Sequence, residues 1–254
     1  MSGLRGLAGR GTLVTGAGSG IGRAIALRLA DEGACVGILD RDEEAARATA
    51  ETIARAGGSA RSWGADITDA AAVESVVVAF EREVGPVEGL VNNAGWDLAQ
   101  PFLETEPALW RKIIDINLVG TLHVTHAVLS RMSHRGFGRV VSIASDAGRV
   151  GSSGEAVYAA CKAGTVAFSK SVARETARQG ITLNVVCPGP TDTPLFASFD
   201  STGKLAAALE RSIPMGRLGR PEDHPGIVAF LLSDEAAFIT GQVISVSGGL
   251  TMHG

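Results

Sequence analysis

The chain has 254 residues, 45% of them hydrophobic and 20% charged, which suits one large α/β domain built round a single core. A net charge of -4 leaves no basic face for nucleic acid or an anionic membrane. Cys35, Cys161 and Cys187 lie far apart with no histidine pattern beside them, excluding a disulfide framework or a zinc site and pointing to a reducing, cytoplasmic compartment.

Gly11 to Thr15 is a β-branched run entering a glycine cluster, and Ile21 to Ala30 follows at helical spacing, giving strand, turn and helix. Ala34 to Leu39 reads as a second strand ending at Asp40. Asp42 is placed to cap a helix that runs to Ala56. A short strand at Ala60 to Trp63 reaches Asp66, a helix covers Ala70 to Glu83, and Gly89 to Val91 ends in Asn92-Asn93-Ala94-Gly95. The helix after Pro107 is expected to break near Asn117 and resume to Arg131. Arg139 to Ile143 then forms a strand running into Ser145. A helix carrying Tyr158 continues to about Gln179, stopped by Gly180; Ile181 to Val186 is a buried strand ended by Pro188-Gly189-Pro190. Residues 191–220 read as a mobile substrate loop with one short helix near Leu205 to Arg211, followed by a helix at Pro221 to Leu232 and a strand at Gln242 to Val246. No apolar stretch reaches the roughly 18 residues of a membrane span. Strands alternating with helices predict a doubly wound parallel sheet whose ligands bind beyond the strand C-terminal ends.

Gly16, Gly18, Gly20 and Gly22 stand between a strand and a helix, where backbone N–H groups and the positive helix end can approach a pyrophosphate. The spacing is Thr15-Gly16-x-x-x-Gly20-Ile21-Gly22 rather than G-x-G-x-x-G. Asp40, at the end of the next strand, is suited to accept hydrogen bonds from adenosine ribose hydroxyls. A 2′-phosphate would repel it by roughly 4 kcal/mol at about 4 Å and an effective dielectric near 20; even half of that disfavours NADP about thirtyfold. Arg41 offers a counter-charge, but Ala17 to Ser19 hold no basic residue, so NAD is the expected cofactor.

Tyr158, the one tyrosine in the chain, and Lys162 leave the same helical face one turn apart. For the phenol to act as acid or base near neutrality its pKa must fall by roughly 3 units, about 4 kcal/mol, which an ammonium at about 4 Å supplies. Ser145, at a strand end, can hydrogen-bond a substrate oxygen as charge changes there. Asn117 is suited to bend its helix and hold water linking Lys162 to solvent. His123 and His126, three apart on a helix, have no third ligand, so no metal is expected.

The set Gly16 to Gly22, Asn92 to Gly95, Asn117, Ser145, Tyr158, Lys162 and Pro188-Gly189 resembles the short-chain dehydrogenase/reductase family over essentially the whole chain. The resemblance implies a single Rossmann domain with a seven-stranded sheet over residues 1–254, commonly a homotetramer, with Asn117, Ser145, Tyr158 and Lys162 catalytic. It implies a cofactor cradle of Gly16, Ser19, Gly20, Ile21 and Gly22, adenine flanked by Asp66 and Ile67, and an adenosine side lined by Asn92, Ala94 and Gly95. Pro188 and Gly189 lie beside the cofactor, and Thr191 and Thr193 hold its carboxamide. Many relatives carry an aspartate where Ser247 precedes Gly248-Gly249. Within the family, Asn92 to Asp97, Ser145 to Lys162 and the ending Ser245 to Met252 resemble dehydrogenases of alicyclic 2-hydroxyacyl-CoA thioesters. Trp96 is then expected to wall a ring-shaped substrate, and Arg149, Lys204 and Arg217 to meet coenzyme A phosphates.

Overall fold

The computed structural model of the chain describes residues 3–200 and 202–252. Seven strands form one parallel sheet: β1 (Gly11–Thr15), β2 (Cys35–Asp40), β3 (Ser59–Gly64), β4 (Gly89–Asn92), β5 (Gly138–Ile143), β6 (Ile181–Pro188) and β7 (Val243–Val246). Their spatial order is β3-β2-β1-β4-β5-β6-β7, so chain direction across the sheet reverses between β1 and β4. A reversal of this kind places the ligand crevice beyond the C-terminal ends of the strands. The register is continuous there, Val14 pairing Ile38 on one side and Val91 on the other.

Helices cover both faces because the inner strands are apolar on both. Ile25 and Leu29 of α1 (Gly20–Asp31) and Val228 and Leu232 of α10 (Pro225–Leu232) pack one cluster with Val14, Val36 and Val91. Phe80 of α3 (Ala70–Glu83) and Val128 and Met132 of α5 (Gly120–Arg135) pack the other with Leu13, Leu90 and Val140. Helix starts follow their caps. Asp42 accepts from the Ala45 N–H at 3.0 Å ahead of α2 (Glu43–Arg55), and Asp69 accepts from Ala71 and Ala72 ahead of α3. Each such cap contributes about 1 kcal/mol.

Three expectations are corrected. The helix after Pro107 does not break at Asn117: α4 (Pro107–Ile114) passes through a π turn, Asp115–Val119, into α5, which continues to Arg135 before Gly136 closes it in the left-handed region. One extra residue in the turn re-aims the Asn117 side chain without losing the helix axis. This continuous stretch of 29 residues, with a window of mean hydropathy 1.3, is long and apolar enough to cross a membrane by length and composition; 44% of that window is buried inside the fold. Asn117, Thr121 and Thr125 interrupt its apolar run and bond within the helix. The 191–220 segment holds two helices, α8 (Pro194–Phe199), capped by Thr193, and α9 (Lys204–Ser212), the second close to the one expected. Ser201, within it, lies outside the described residues. The helix read from Pro221 begins with a 3-10 turn, Pro221–Asp223, and turns α-helical only at Pro225.

Candidate active site

The phosphate turn is built by absent side chains. Gly16 has φ +61, and a Cβ there would lie 2.7 Å from the Ala94 Cα; at Gly22 a Cβ would lie 2.2 Å from the Gly16 carbonyl oxygen. The turn after β1 is thereby pressed against the turn after β4, and Asn93 stitches the two, its amide donating to the Thr15 and Gly16 carbonyls at 3.1 and 3.0 Å. The Thr15 hydroxyl accepts from the Asn93 and Ala94 N–H groups. Ser19 precedes α1 with no side-chain cap and no acidic residue stands in the first turn, so those N–H groups face the crevice without an internal acceptor. Gly20 brings the loop after β6 close: a Cβ there would meet the Thr193 methyl at 3.6 Å. Ile21 is half-buried against the core cluster behind the turn.

The Asp40 carboxylate accepts from the Gly18 N–H at 2.9 Å and from the Asp42 N–H at 3.0 Å, with lone pairs left for further donors. It therefore fixes the glycine turn and is not the cap of α2, which is Asp42 itself. Arg41 is exposed beside it. A glycine cradle with free N–H groups and an acid at the next strand end fits an adenine dinucleotide.

Beyond β5, the Ser145 hydroxyl accepts from the Ala147 N–H at 3.1 Å and sits at the start of the short α6 (Ala147–Val150). Gly148 lets α6 pack closely on α7 (Ala156–Thr176): a Cβ would lie 2.7 Å from Ala163 N and 2.8 Å from the Lys162 carbonyl carbon. That contact brings Ser145 to Tyr158 and Lys162. The Lys162 ammonium lies 5.4 Å from the Tyr158 ring centroid, donates to the Ile143 carbonyl at 3.1 Å and is buried. Gly95 fills the space between it and Asn117, since a Cβ there would meet Asn117 Oδ1 at 2.9 Å and Lys162 Nζ at 3.4 Å.

The protein's own groups do not supply the lowering expected of Tyr158. Burial first, then the Glu155 and Asp97 charges, push the Tyr158 phenol well above its ordinary value, with hydrogen bonding to Ser145 opposing them. Burial also brings Lys162 down from 10.5 to about 8. The expected lowering counted the ammonium's attraction for a phenolate and left out the cost of charging a phenol away from water. The protein by itself keeps Tyr158 protonated, as a proton donor.

The other expected site residues make the following contacts within the fold. The Asn117 amide donates to the Trp96 and Ile113 carbonyls at 2.6 and 2.9 Å and its oxygen accepts from the Trp96 N–H at 3.3 Å, so its side chain clamps the loop after β4. Its backbone carbonyl accepts from the Thr121 hydroxyl at 3.2 Å. Asn92 turns inward, donating to Thr125 at 2.9 Å, and leaves only its backbone toward the crevice. Asp66 holds the Thr68 N–H and hydroxyl in a turn, and Ile67 packs under Gly120. The Thr191 hydroxyl donates to the Gly189 carbonyl at 2.9 Å and so accepts a hydrogen bond from His224 Nε2–H at 3.0 Å. His224, fully buried, is pushed down by that burial to about 4 and stays neutral, packing Thr191 from behind. Gly189 is pressed on Ser247, whose hydroxyl accepts from the Thr251 N–H. Pro188 ends β6, paired with Val246.

The Trp96 ring is covered by the Lys112 ammonium at 3.7 Å. The recess beside Tyr158 is walled by Trp110 and Phe102, stacked at 5.4 Å. Of the three cations expected at coenzyme A phosphates, Arg149 donates to Ser245 and Arg217 to Asp223, and Arg217 and Lys204 are exposed. No sequence signal marks His224, and the motifs that contain Thr15 and Asn93 do not show the hydrogen bonds their side chains make. Among the described residues no group of three His, Cys, Asp or Glu side chains could hold a metal ion, and His123 instead meets the Ile67 carbonyl at 3.1 Å.

A glycine turn at the switch point of a doubly wound sheet, with serine, tyrosine and lysine meeting beyond β5, defines an oxidoreductase of dinucleotide-dependent type. The chain belongs to the short-chain dehydrogenase/reductase family, matching over residues 16–251 the family described as enoyl-(acyl carrier protein) reductase. It is 40% identical to the 3-oxoacyl-acyl-carrier-protein reductase FabG of Escherichia coli (strain K12) over 96% of this chain and 98% of the relative. It is 39% identical to the acetoacetyl-CoA reductase of Shinella zoogloeoides over 94% of this chain and 98% of the relative. A variant of the actinorhodin polyketide ketoreductase, solved with NADPH, superposes with a TM-score of 0.93 at 38% identity, covering 96% of this chain and 98% of its own. These similarities fall among ketoacyl reductases and do not single out the alicyclic branch expected from the sequence.

Proposed function

We propose that the chain interconverts an oxoacyl thioester and the corresponding secondary hydroxyacyl thioester, acting as a 3-oxoacyl thioester reductase. The observation that carries this reading is the meeting of Ser145, Tyr158 and Lys162 beyond β5, with the phenol held protonated. A bound nicotinamide dinucleotide supplies the hydride in reduction and accepts it in oxidation. Tyr158 gives its hydroxyl proton to the carbonyl oxygen as that oxygen gains charge, and takes it back in the reverse direction. Ser145 donates a hydrogen bond to the same oxygen. Lys162, held by Ile143, stabilises the phenolate left behind, and Asn117 fixes the loop on which Gly95 spaces the lysine. The 191–220 segment, carrying α8 and α9, closes over the acyl group, and Thr193 and the backbone of Thr191, Pro188 and Gly189 meet the nicotinamide side.

A second reading, oxidation of 2-hydroxycyclohexanecarboxyl-CoA or a similar alicyclic thioester with NAD, is favoured by Asp40, whose carboxylate sits against the glycine turn where a 2′-phosphate would be repelled. In either reading the enzyme works in the cytoplasm as a homotetramer, with the exposed Phe238 among the apolar side chains a partner copy would cover. Initial rates decide between the two: acetoacetyl-CoA reduced with NADH and with NADPH, against 2-hydroxycyclohexanecarboxyl-CoA oxidised with NAD. Faster acetoacetyl-CoA reduction is expected, with at least a tenfold preference for NADH on the Asp40 argument. Exclusive oxidation of the alicyclic thioester would favour the second reading, and an NADPH preference would contradict the assignment of Asp40.

A further inference from the structure

Asp97 follows the loop clamped by Asn117 and is 2% exposed, and its carboxylate makes no hydrogen bond of good geometry, the neighbouring Leu98 amide alone lying near enough to offset part of its burial. A buried carboxylate without partners is expensive, because water solvates it in the unfolded chain and nothing replaces that water in the fold. Asp97 lines the same recess as Glu155 and Tyr158, three residues apart on the turn and first helical turn that open α7. The charged and titratable groups facing it are Glu155, Tyr158, Cys161 and Lys162. Burial lifts Asp97 to about 6, with Glu155 adding to the rise and the Leu98 amide and Lys162 opposing it. The unfolded carboxyl titrates lower, so between 3.8 and about 6 the fold binds more protons and its stability falls as pH rises. At neutral pH the chain thus carries a destabilising group next to its reacting phenol.

We propose that Asp97 and Glu155 form an anionic carboxyl pair that opposes ionisation of the Tyr158 phenol and so biases the site toward proton donation, the direction of carbonyl reduction. Both are positioning residues acting through Tyr158, and the proposal deepens the proposed function and rests on Tyr158 being its acid and base. Their negative charge raises the free energy of a phenolate beside them. Asp97 also supports the Lys162 ammonium, whereas Glu155 is not among the groups that move Lys162. Glu155→Gln therefore reports on the phenol, directly and through Asp97, without a direct effect on the lysine, and Asp97→Asn on the phenol and the lysine together.

Because Tyr158 is the one tyrosine in the chain, tyrosinate absorbance reads this site without any substrate. Ultraviolet difference titrations of the intact wild type, Asp97→Asn and Glu155→Gln, with Tyr158→Phe as blank, are expected to show the phenol ionising at lower pH in both variants. The shift is about one pH unit, the effect of a carboxylate within about 10 Å at an effective dielectric near 20. The alkaline limb of acetoacetyl-CoA reduction moves down in step. Should Asp97→Asn fail to fold, the Glu155→Gln titration alone decides. A phenol titrating in Glu155→Gln as in wild type overturns the pair; a shifted phenol with no activity on any acyl thioester upholds the pair and overturns the proposed function instead.

Discussion

Replacing Tyr158 by phenylalanine is expected to lower turnover by a factor of about 10²–10⁴ in both directions while leaving dinucleotide affinity nearly unchanged. The ring stays, so the packing of α7 against α6 and the position of Lys162 are retained. What is lost is the hydroxyl proton, and no other group is placed to supply it: Ser145 is a far weaker acid near neutrality, and Lys162 donates to the Ile143 carbonyl. Stopped-flow reduction with dinucleotide binding followed by fluorescence separates the two effects. Loss of binding together with rate would make Tyr158 a structural residue and remove it from the chemistry.

Gly22→Ala is expected to weaken dinucleotide binding by more than tenfold and to destabilise the fold by about 1–3 kcal/mol. The new methyl would lie 2.2 Å from the Gly16 carbonyl oxygen and 2.4 Å from the Asn93 amide nitrogen. Both are fixed, the first as backbone of the phosphate turn and the second by its hydrogen bonds to Thr15 and Gly16, so neither yields without opening the crevice. Gly226→Ala in α10 is the control: its ordinary backbone and nearest neighbour at 3.9 Å leave room for a methyl, and the helix gains roughly 0.5–1 kcal/mol. Calorimetric titration with NADH and thermal melts of both variants check the pair. Unchanged NADH affinity in Gly22→Ala would show that the turn does not hold the phosphates.

The sheet was legible because apolar runs ending in Asp40, Asn92, Ser145 and Pro188 mark strands whose ends meet at one edge. The candidate catalytic group could be picked out because Tyr158 and Lys162 keep helical spacing and Ser145 sits at a strand end. Side-chain direction was not. Asn92 and Thr191 carry the right polarity in the right loops, but Thr125 and His224, distant in sequence, turn them inward. Nor was the sign of the Tyr158 shift, since desolvation is a property of packing and no motif reports it. Asp97 shows the same limit from the other side, an acid in a polar loop that the fold buries.

The central claim is that a dinucleotide lies across the crevice with its adenosine ribose on Asp40 and its nicotinamide facing Tyr158. A crystal structure of the protein soaked with NADH tests it most directly. The account predicts ribose hydroxyls donating to the Asp40 carboxylate, pyrophosphate over Gly20 and Ile21, and the nicotinamide ring within contact of the Tyr158 hydroxyl. A dinucleotide bound elsewhere, or a nicotinamide turned away from Tyr158 and Lys162, would contradict it.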